Sequence, residues 1–192
     1  MKIQNRATKK KARSRRAIIS SAARHLRREG PARADLKTIT ADAGLTVGGL
    51  YNHVHSKAHL LSLGFLEASK NRRRSIADST AGYEGRDFVT AFLKAYLAPD
   101  HRDDIEGGCP TAAILCDVPR AEEELQKAAL AEIDATLRAM AARINPKDSE
   151  AGFDEAVRVF SLAIGALQLS RATAMSPDLS EAILRATAGD TL

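Results

Sequence analysis

The stretch Gly44-Leu45-Thr46-Val47-Gly48-Gly49-Leu50-Tyr51-Asn52-His53-Val54-His55-Ser56-Lys57 decides the fold. Gly44 suits a tight turn in which φ > 0 would strain any other residue. Thr46 is a good N-cap for a short helix from Val47 to about Val54. Gly48 and Gly49 leave that helix almost no outer bulk, and each costs it roughly 1 kcal/mol relative to Ala. A helix without bulk fills a core poorly but can lie close against another surface. Ser56 caps the next helix. Lys57 opens it, near the positive end of the helix dipole, where a cation is disfavoured. Local misfits of this kind collect at functional sites.

Upstream, the spacing predicts a helix from about Thr8 to Glu29, with Ile19, Ala22, Ala23 and Leu26 on one face. Gly30-Pro31 stops it. A second helix runs from Leu36 to about Ala43, with Asp35 as its N-cap. Helix, glycine turn, short helix is the helix-turn-helix arrangement. Its second helix enters the major groove with its first residues at base edges. The residue types fit: Thr46 and the free N–H groups beside it suit a phosphate, and Val47 suits a thymine methyl. Gly48 and Gly49 permit close approach. Tyr51, Asn52 and His53 reach backbone oxygens, and Lys57 a phosphate, with Lys37 and Thr38 as lesser contacts. The alternatives are a core role for Tyr51 and a plain surface role for His53.

Charge points the same way. The net +5 of the 192 residues is unevenly spread: residues 1–75 hold 18 Lys+Arg against 4 Asp+Glu, the rest 11 against 20. The first part suits a polyanion, double-stranded DNA, and the second does not. Lys9, Lys10, Lys11, Arg13, Arg15 and Arg16 form either an arm adding nonspecific or minor-groove contacts or a solvated tail.

Residues 13–61 resemble the N-terminal domain of the TetR family of transcriptional regulators. The likeness runs through Ile39-Thr40-Ala41-Asp42-Ala43-Gly44-Leu45-Thr46, Gly48, Leu50-Tyr51, His53 and Ser56-Lys57-Ala58-His59-Leu60-Leu61. Members with a Thr-His-Gly-Gly-Phe-Tyr recognition segment are most similar. This chain departs from them at Val47, where they have His, at Val54, where Phe is usual, and at His59, where an acidic residue often completes a capping box with the Ser. The resemblance implies an all-helical homodimer whose two heads read a pseudo-palindrome. It also implies a C-terminal domain binding a small-molecule effector that moves the heads apart, usually relieving repression.

The fold expected is all-α, with about nine helices. Residues 1–57 form the basic arm and DNA-binding head, 57–78 a connecting helix, and 79–192 a ligand-binding and dimerisation domain. The connecting helix carries Leu60, Leu61, Gly64, Phe65 and Ala68 inward and runs to about Ser75. Residues 79–86 read as a break, and helices follow at about 87–98, 109–118, 120–144, 150–174 and 178–188. The helix at 150–174 has two apolar stripes: Phe153, Val157, Phe160, Ile164 and Leu167 make one, and Val159, Leu162, Ala166 and Leu169 the other. With Leu179, Ala182, Ile183 and Ala186, the second stripe suits a four-helix dimer interface. A central helix buried all round is the alternative.

Gly107-Gly108-Cys109-Pro110 resembles a Gly-Cys-Pro segment that opens a ligand-domain helix in a subset of these regulators. Cys109, at that helix's start, is a candidate redox or electrophile sensor. Cys116, seven residues on in the same helix, is about 10 Å away along the axis, too far for a disulfide. The alternative is that both are small buried hydrophobes. His53, His55 and His59 lack a carboxylate or cysteine at ligand spacing, so no metal is expected. With no phosphate loop or nucleophile elbow, neither catalysis nor a cofactor is expected. No apolar run approaches the ~18 residues of a membrane span, and a cytoplasmic location is the expectation. The rivals to a regulator are an enzyme with a basic substrate-binding half and a helical adaptor that does not bind DNA.

Overall fold

The structure is a computed structural model that describes residues 2–189, with side chains from Thr8 on; Met1 and residues 190–192, the outer ends of the two expected domains, lie outside it. The described residues form ten α-helices and no strand. They are α1 (Lys2–Arg33), α2 (Leu36–Asp42), α3 (Val47–Leu50), α4 (Lys57–Ser79), α5 (Gly85–Tyr96), α6 (Pro99–Asp103) and α7 (Pro110–Ile114). A 3₁₀ turn at Val118–Arg120 precedes α8 (Glu123–Ile144), α9 (Phe153–Ala172) and α10 (Pro177–Gly189).

The capping chemistry falls where the side chains predict. Asp35 accepts from the Thr38 N–H, Thr46 from the Gly49 N–H and Ser56 from the His59 N–H. Gly30 leaves the helical region at φ 76° and interrupts α1 before Pro31. Gly44 turns the chain between α2 and α3 at φ 66°.

Several helices differ from expectation, beginning with α1, which starts at Lys2 rather than about Thr8 and resumes beyond Gly30 to Arg33. Helix α3 ends at Leu50, not near Val54, because the chain tightens: the N–H groups of Asn52 and His53 bond the carbonyls three residues back. Helix α4 continues to Ser79. The helix expected over 109–118 ends at Ile114, since Pro119 has no N–H for the Leu115 carbonyl and the chain tightens into the 3₁₀ turn. The short α6, opened by Pro99, was not anticipated.

Two apolar cores result. The first joins Ile18, Leu26, Ile39, Leu50, Leu60 and Phe65 of the head. Ile114, Leu125 and Ala129, from α7 and α8, pack into that same core. The second gathers Phe88, Phe92, Tyr96, Phe160 and Leu167 with their neighbours from α5, α8, α9 and α10. Helix α4 crosses α1 at Gly64, where a Cβ would stand 2.9 Å from the Ala23 nitrogen. Buried Ser21 bonds the Ile39 carbonyl, and buried His25 bridges Glu29 and Asp42, tying α2 to α1.

The two stripes expected on α9 are not separate. Val159 and Ala166 turn into the protomer's own core with Phe160, Ile164 and Leu167, while Leu162 and Leu169 stand exposed. Val157 is exposed and Phe153 half-buried. On α10, Leu179 and Ala186 are exposed, and Ala182 and Ile183 half-buried.

Candidate nucleic-acid interface and interior cavity

The head brings Lys37, Thr38, Thr46, Gly48, Tyr51 and Asn52 to the surface; Val47, Gly49, His53 and Lys57 are half-buried. Tyr51 is not a core residue: 54% of it is exposed. The two glycines separate. A Cβ on Gly49 would come within 3.2 Å of the Thr46 hydroxyl that caps α3, so its smallness has a local cause. A Cβ on Gly48 would meet nothing within 4 Å. Nothing inside the protomer requires glycine there.

Other side chains are partly committed. The Thr38 hydroxyl donates to Asp35, and Lys57 Nζ donates to the Ala32 carbonyl at 3.4 Å, a long bond. His53 Nδ1 is buried with no partner. Val54 is buried in the head core. The His55 and His59 rings stack at 3.9 Å, and His55 Nε2 lies 3.1 Å from Glu124 of α8. Glu124 also accepts from Ser56 Oγ, so an acid reaches the Ser-Lys turn from across the fold. Among the described residues no group of three His, Cys, Asp or Glu is placed to hold a metal.

The basic residues of α1 at positions 9–11, 13, 15 and 16 are exposed and helical, so the arm is a helix. Part of the basic half points elsewhere. Arg27 reaches the Gly108 carbonyl at 3.2 Å, Arg28 the Glu106 carboxylate at 2.7 Å, and Arg73 pairs with Glu132. Arg72 turns into the interior against the Tyr96 ring.

Arg72 stands on the wall of a cavity of about 210 Å³ bounded by α4, α5, α7 and α8. Ser69, Arg72 and Ile76 face it from α4, with Phe88, Phe92 and Met140 opposite. Cys109 is among its lining residues and is buried; Cys116 is exposed. Because α7 stops at Ile114, the two thiols do not share a helix, contrary to the expectation; both are free. Gly108 is glycine for lack of room: a Cβ would stand 2.7 Å from the Asp104 carbonyl oxygen. Reading the sequence missed Ser69, Arg72 and His101. A signal existed, because Arg72 keeps the spacing of Leu61, Phe65, Ala68 and Ile76 along the inner face of α4.

No family model matches the sequence, and no curated protein matches it. In structure the chain is similar to a TetR transcriptional regulator from Chloroflexus aurantiacus J-10-FL, at 22% identity over 94% of each chain with a TM-score of 0.78. A TetR-family transcriptional regulator from Cytophaga hutchinsonii aligns over 92% of each chain at 19% identity, TM-score 0.73. Reduced Escherichia coli NemR aligns over 91% of this chain and 95% of its own, at 15% identity and TM-score 0.72. The fold is that of TetR-type regulators. The likeness spans head and body together. No helix among the described residues is long and apolar enough to cross a membrane.

Proposed function

We propose that the chain is a DNA-binding transcriptional regulator of the TetR type and not an enzyme, a homodimer that represses from a pseudo-palindromic operator and is released by a small-molecule effector. Residues 1–57 carry recognition, 57–78 connect, and 79–192 hold the effector and the partner protomer. The protein works in the cytoplasm. The observation that carries the reading is Gly48, a bare and exposed position in the second helix of a helix-turn-helix. Its lack of a side chain has a use only if something outside the protomer comes close. Val47, Tyr51 and Asn52 flank it, and their side-chain types suit base-edge and phosphate contacts to such a partner.

The dimer is supported by the exposed row Leu162, Gly165, Leu169 and Leu179 on α9 and α10. Val159 and Ala166 support it from beneath rather than touching the partner. Burial of Cys109 leaves it better suited to lining the cavity than to meeting an oxidant in solution.

Selection of bound duplexes from a random pool by the full chain tests the reading. It should return two related half-sites in inverted orientation, bound more weakly as salt rises. Absence of duplex binding at low salt overturns the regulator and leaves the helical adaptor. A monomer in sedimentation at micromolar concentration overturns the dimer.

A further inference from the structure

His101, on α6 behind the cavity, fixes what Arg72 can do. Its Nε2 faces the Cys109 backbone nitrogen at 2.9 Å, and its Nδ1 faces the Tyr96 carbonyl oxygen at 2.5 Å. An amide N–H only donates and a carbonyl only accepts. The ring must therefore carry its proton on Nδ1 and accept at Nε2. It is neutral at pH 7, because burial and the neighbouring Arg72 charge lower its pKa to about 4. Arg72 Nη2 lies 3.1 Å from that same Nδ1. With the Nδ1 proton given to Tyr96, no lone pair is left for the arginine. The contact sets donor against donor.

The guanidinium has a second unpaired donor. Arg72 Nε is buried without a partner. The cation lies 5.2 Å from the Tyr96 ring centre, a favourable contact that supplies no negative charge. Among the described residues Arg72 has no ion pair: Glu132 is taken by Arg73, and Asp104 acts on Arg72 only from a distance. Arg171, behind it, spends its donors on the His101 and Arg102 carbonyls. One turn earlier on α4, buried Ser69 Oγ also lacks a partner and lines the same cavity. A largely buried cation without counter-charge is costly, so a site that keeps one is built for an anion from outside.

The rest of the wall is mostly apolar, with Ile76, Phe88, Phe92, Met140 and Phe160, and the Glu132 carboxylate that also borders it is neutralised by Arg73. A cavity of about 150 Å³ holds a benzene ring; this one, at about 210 Å³, has room for a ring and one small substituent. Its other arginines are spoken for. Arg73 holds Glu132, and Arg143 donates to the Thr80 and Tyr83 carbonyls. One free guanidinium matches one negative charge, which favours a carboxylate over a phosphate. We propose that the cavity binds a small monocarboxylate with an apolar body, its carboxylate between the Arg72 guanidinium and the Ser69 hydroxyl and its body against Phe88, Phe92 and Met140.

The position couples to the head. Ser69 and Arg72 lie on α4, whose first turns place Leu60, Leu61 and Phe65 in the head core. Cys109 to Thr111 line the cavity, and Ile114, one turn on, sits in that core too. That such a ligand alters DNA binding rests on the regulator reading; that it binds does not.

Benzoate, phenylacetate and 3-methylbutanoate are the acidic probes, with benzamide and benzylamine as neutral and cationic counterparts of benzoate. Calorimetric titration and thermal melts of the full chain, without DNA, should show binding and a raised midpoint for at least one acid. Benzamide should bind at least about tenfold more weakly than that acid, and benzylamine not at all. Arg72→Met should raise the midpoint of the free protein and weaken the acid about tenfold or more. Ser69→Ala should keep the fold and weaken the acid severalfold, which keeps the test alive if Arg72→Met does not fold. No response to any of the three acids overturns the proposal. So does equal binding of benzamide, or a destabilised Arg72→Met that binds the acid as before. If an acid binds through Arg72 and no duplex is ever bound, the site stands and the regulator reading falls. If duplexes bind and no acid does, the reverse holds.

Discussion

On the head, α3 shows the solvent a position from which the side chain has been removed; in the body, α4 drives an arginine into an apolar wall. Both arrangements work against the stability of the free protomer. Gly48 weakens its helix by an amount that alanine would recover, with room for the methyl group. Arg72 is largely desolvated without a counter-charge. The surface cost prepares close approach by something large and rigid, and the interior cost prepares capture of something small and charged. Helix α4 belongs to both regions, which makes its seat on α1 the joint between them.

The joint is the most fragile part of that comparison. A side chain at Gly64 would push into the α1 backbone at Ala22 and Ala23, which cannot move aside as a flexible side chain could. Gly64→Val should cost about 3 kcal/mol in urea melts. It should lose duplex binding and ligand response together. Retention of either one in a folded Gly64→Val protein would show that the two regions do not share α4 as a rigid element.

The cavity side should be the acid-sensitive one. His101 is held neutral by burial first, then by Arg72 and Arg171, against the Tyr96 carbonyl and Asp104, which favour its charge. Its folded pKa of about 4 lies below the usual 6.5. The unfolded chain therefore binds the extra proton first. The stability from His101 is complete above pH 6.5, falls as pH drops below it, and is gone near pH 4. Between pH 7 and pH 5 the wild type should lose about 2 kcal/mol more than His101→Gln. Parallel curves for the two proteins would mean that the fold leaves the His101 pKa at its ordinary value and does not hold the ring neutral against Arg72.

The two regions also differ in how far a sequence announces them. Asp35, Gly44, Thr46 and Ser56 each do a local job that their chemistry specifies, and each is found doing it. The head was legible for that reason, down to the exposed Tyr51. The cavity depends on partners 29 and more residues apart, such as Arg72 with His101. In the basic half, Arg72 is one cation among many, and only its register on the inner face of α4 marks it as interior, while its neighbour Arg73 is exposed. The end of α7 is hard to read in the sequence because Pro119 acts backward along the chain, and the faces of α9 because two apolar rows on one helix do not say which faces the protomer's own core.

Gly48→Ala sharpens the surface half. With nothing within 4 Å of the new methyl group, it should stabilise the free protein by up to about 1 kcal/mol. It should weaken duplex binding at the same time. Gly49→Ala should gain less stability, since its methyl group presses on the Thr46 cap. If Gly48→Ala stabilised the protein and left duplex binding unchanged, the bare face of α3 would not be the recognition face.

The smallest expected effect falls on Lys57, and it separates a contact made to the protein from one made to DNA. Its ammonium group lies 3.4 Å from the Ala32 carbonyl, at the edge of hydrogen bonding, on a half-buried side chain at the start of α4. So long a bond contributes little, and Lys57→Ala should change stability by less than about 0.5 kcal/mol. The ammonium is free to turn to a phosphate when one arrives. Loss of one phosphate contact weakens binding about equally on all sequences and lowers the magnitude of the salt slope by about 1. Titrations of wild type and Lys57→Ala on a selected site and on an unrelated duplex, at several salt concentrations, measure both. An unchanged slope would leave the Ala32 carbonyl as the whole purpose of Lys57, and recognition would then rest on α3 and the exposed basic face of α1 alone.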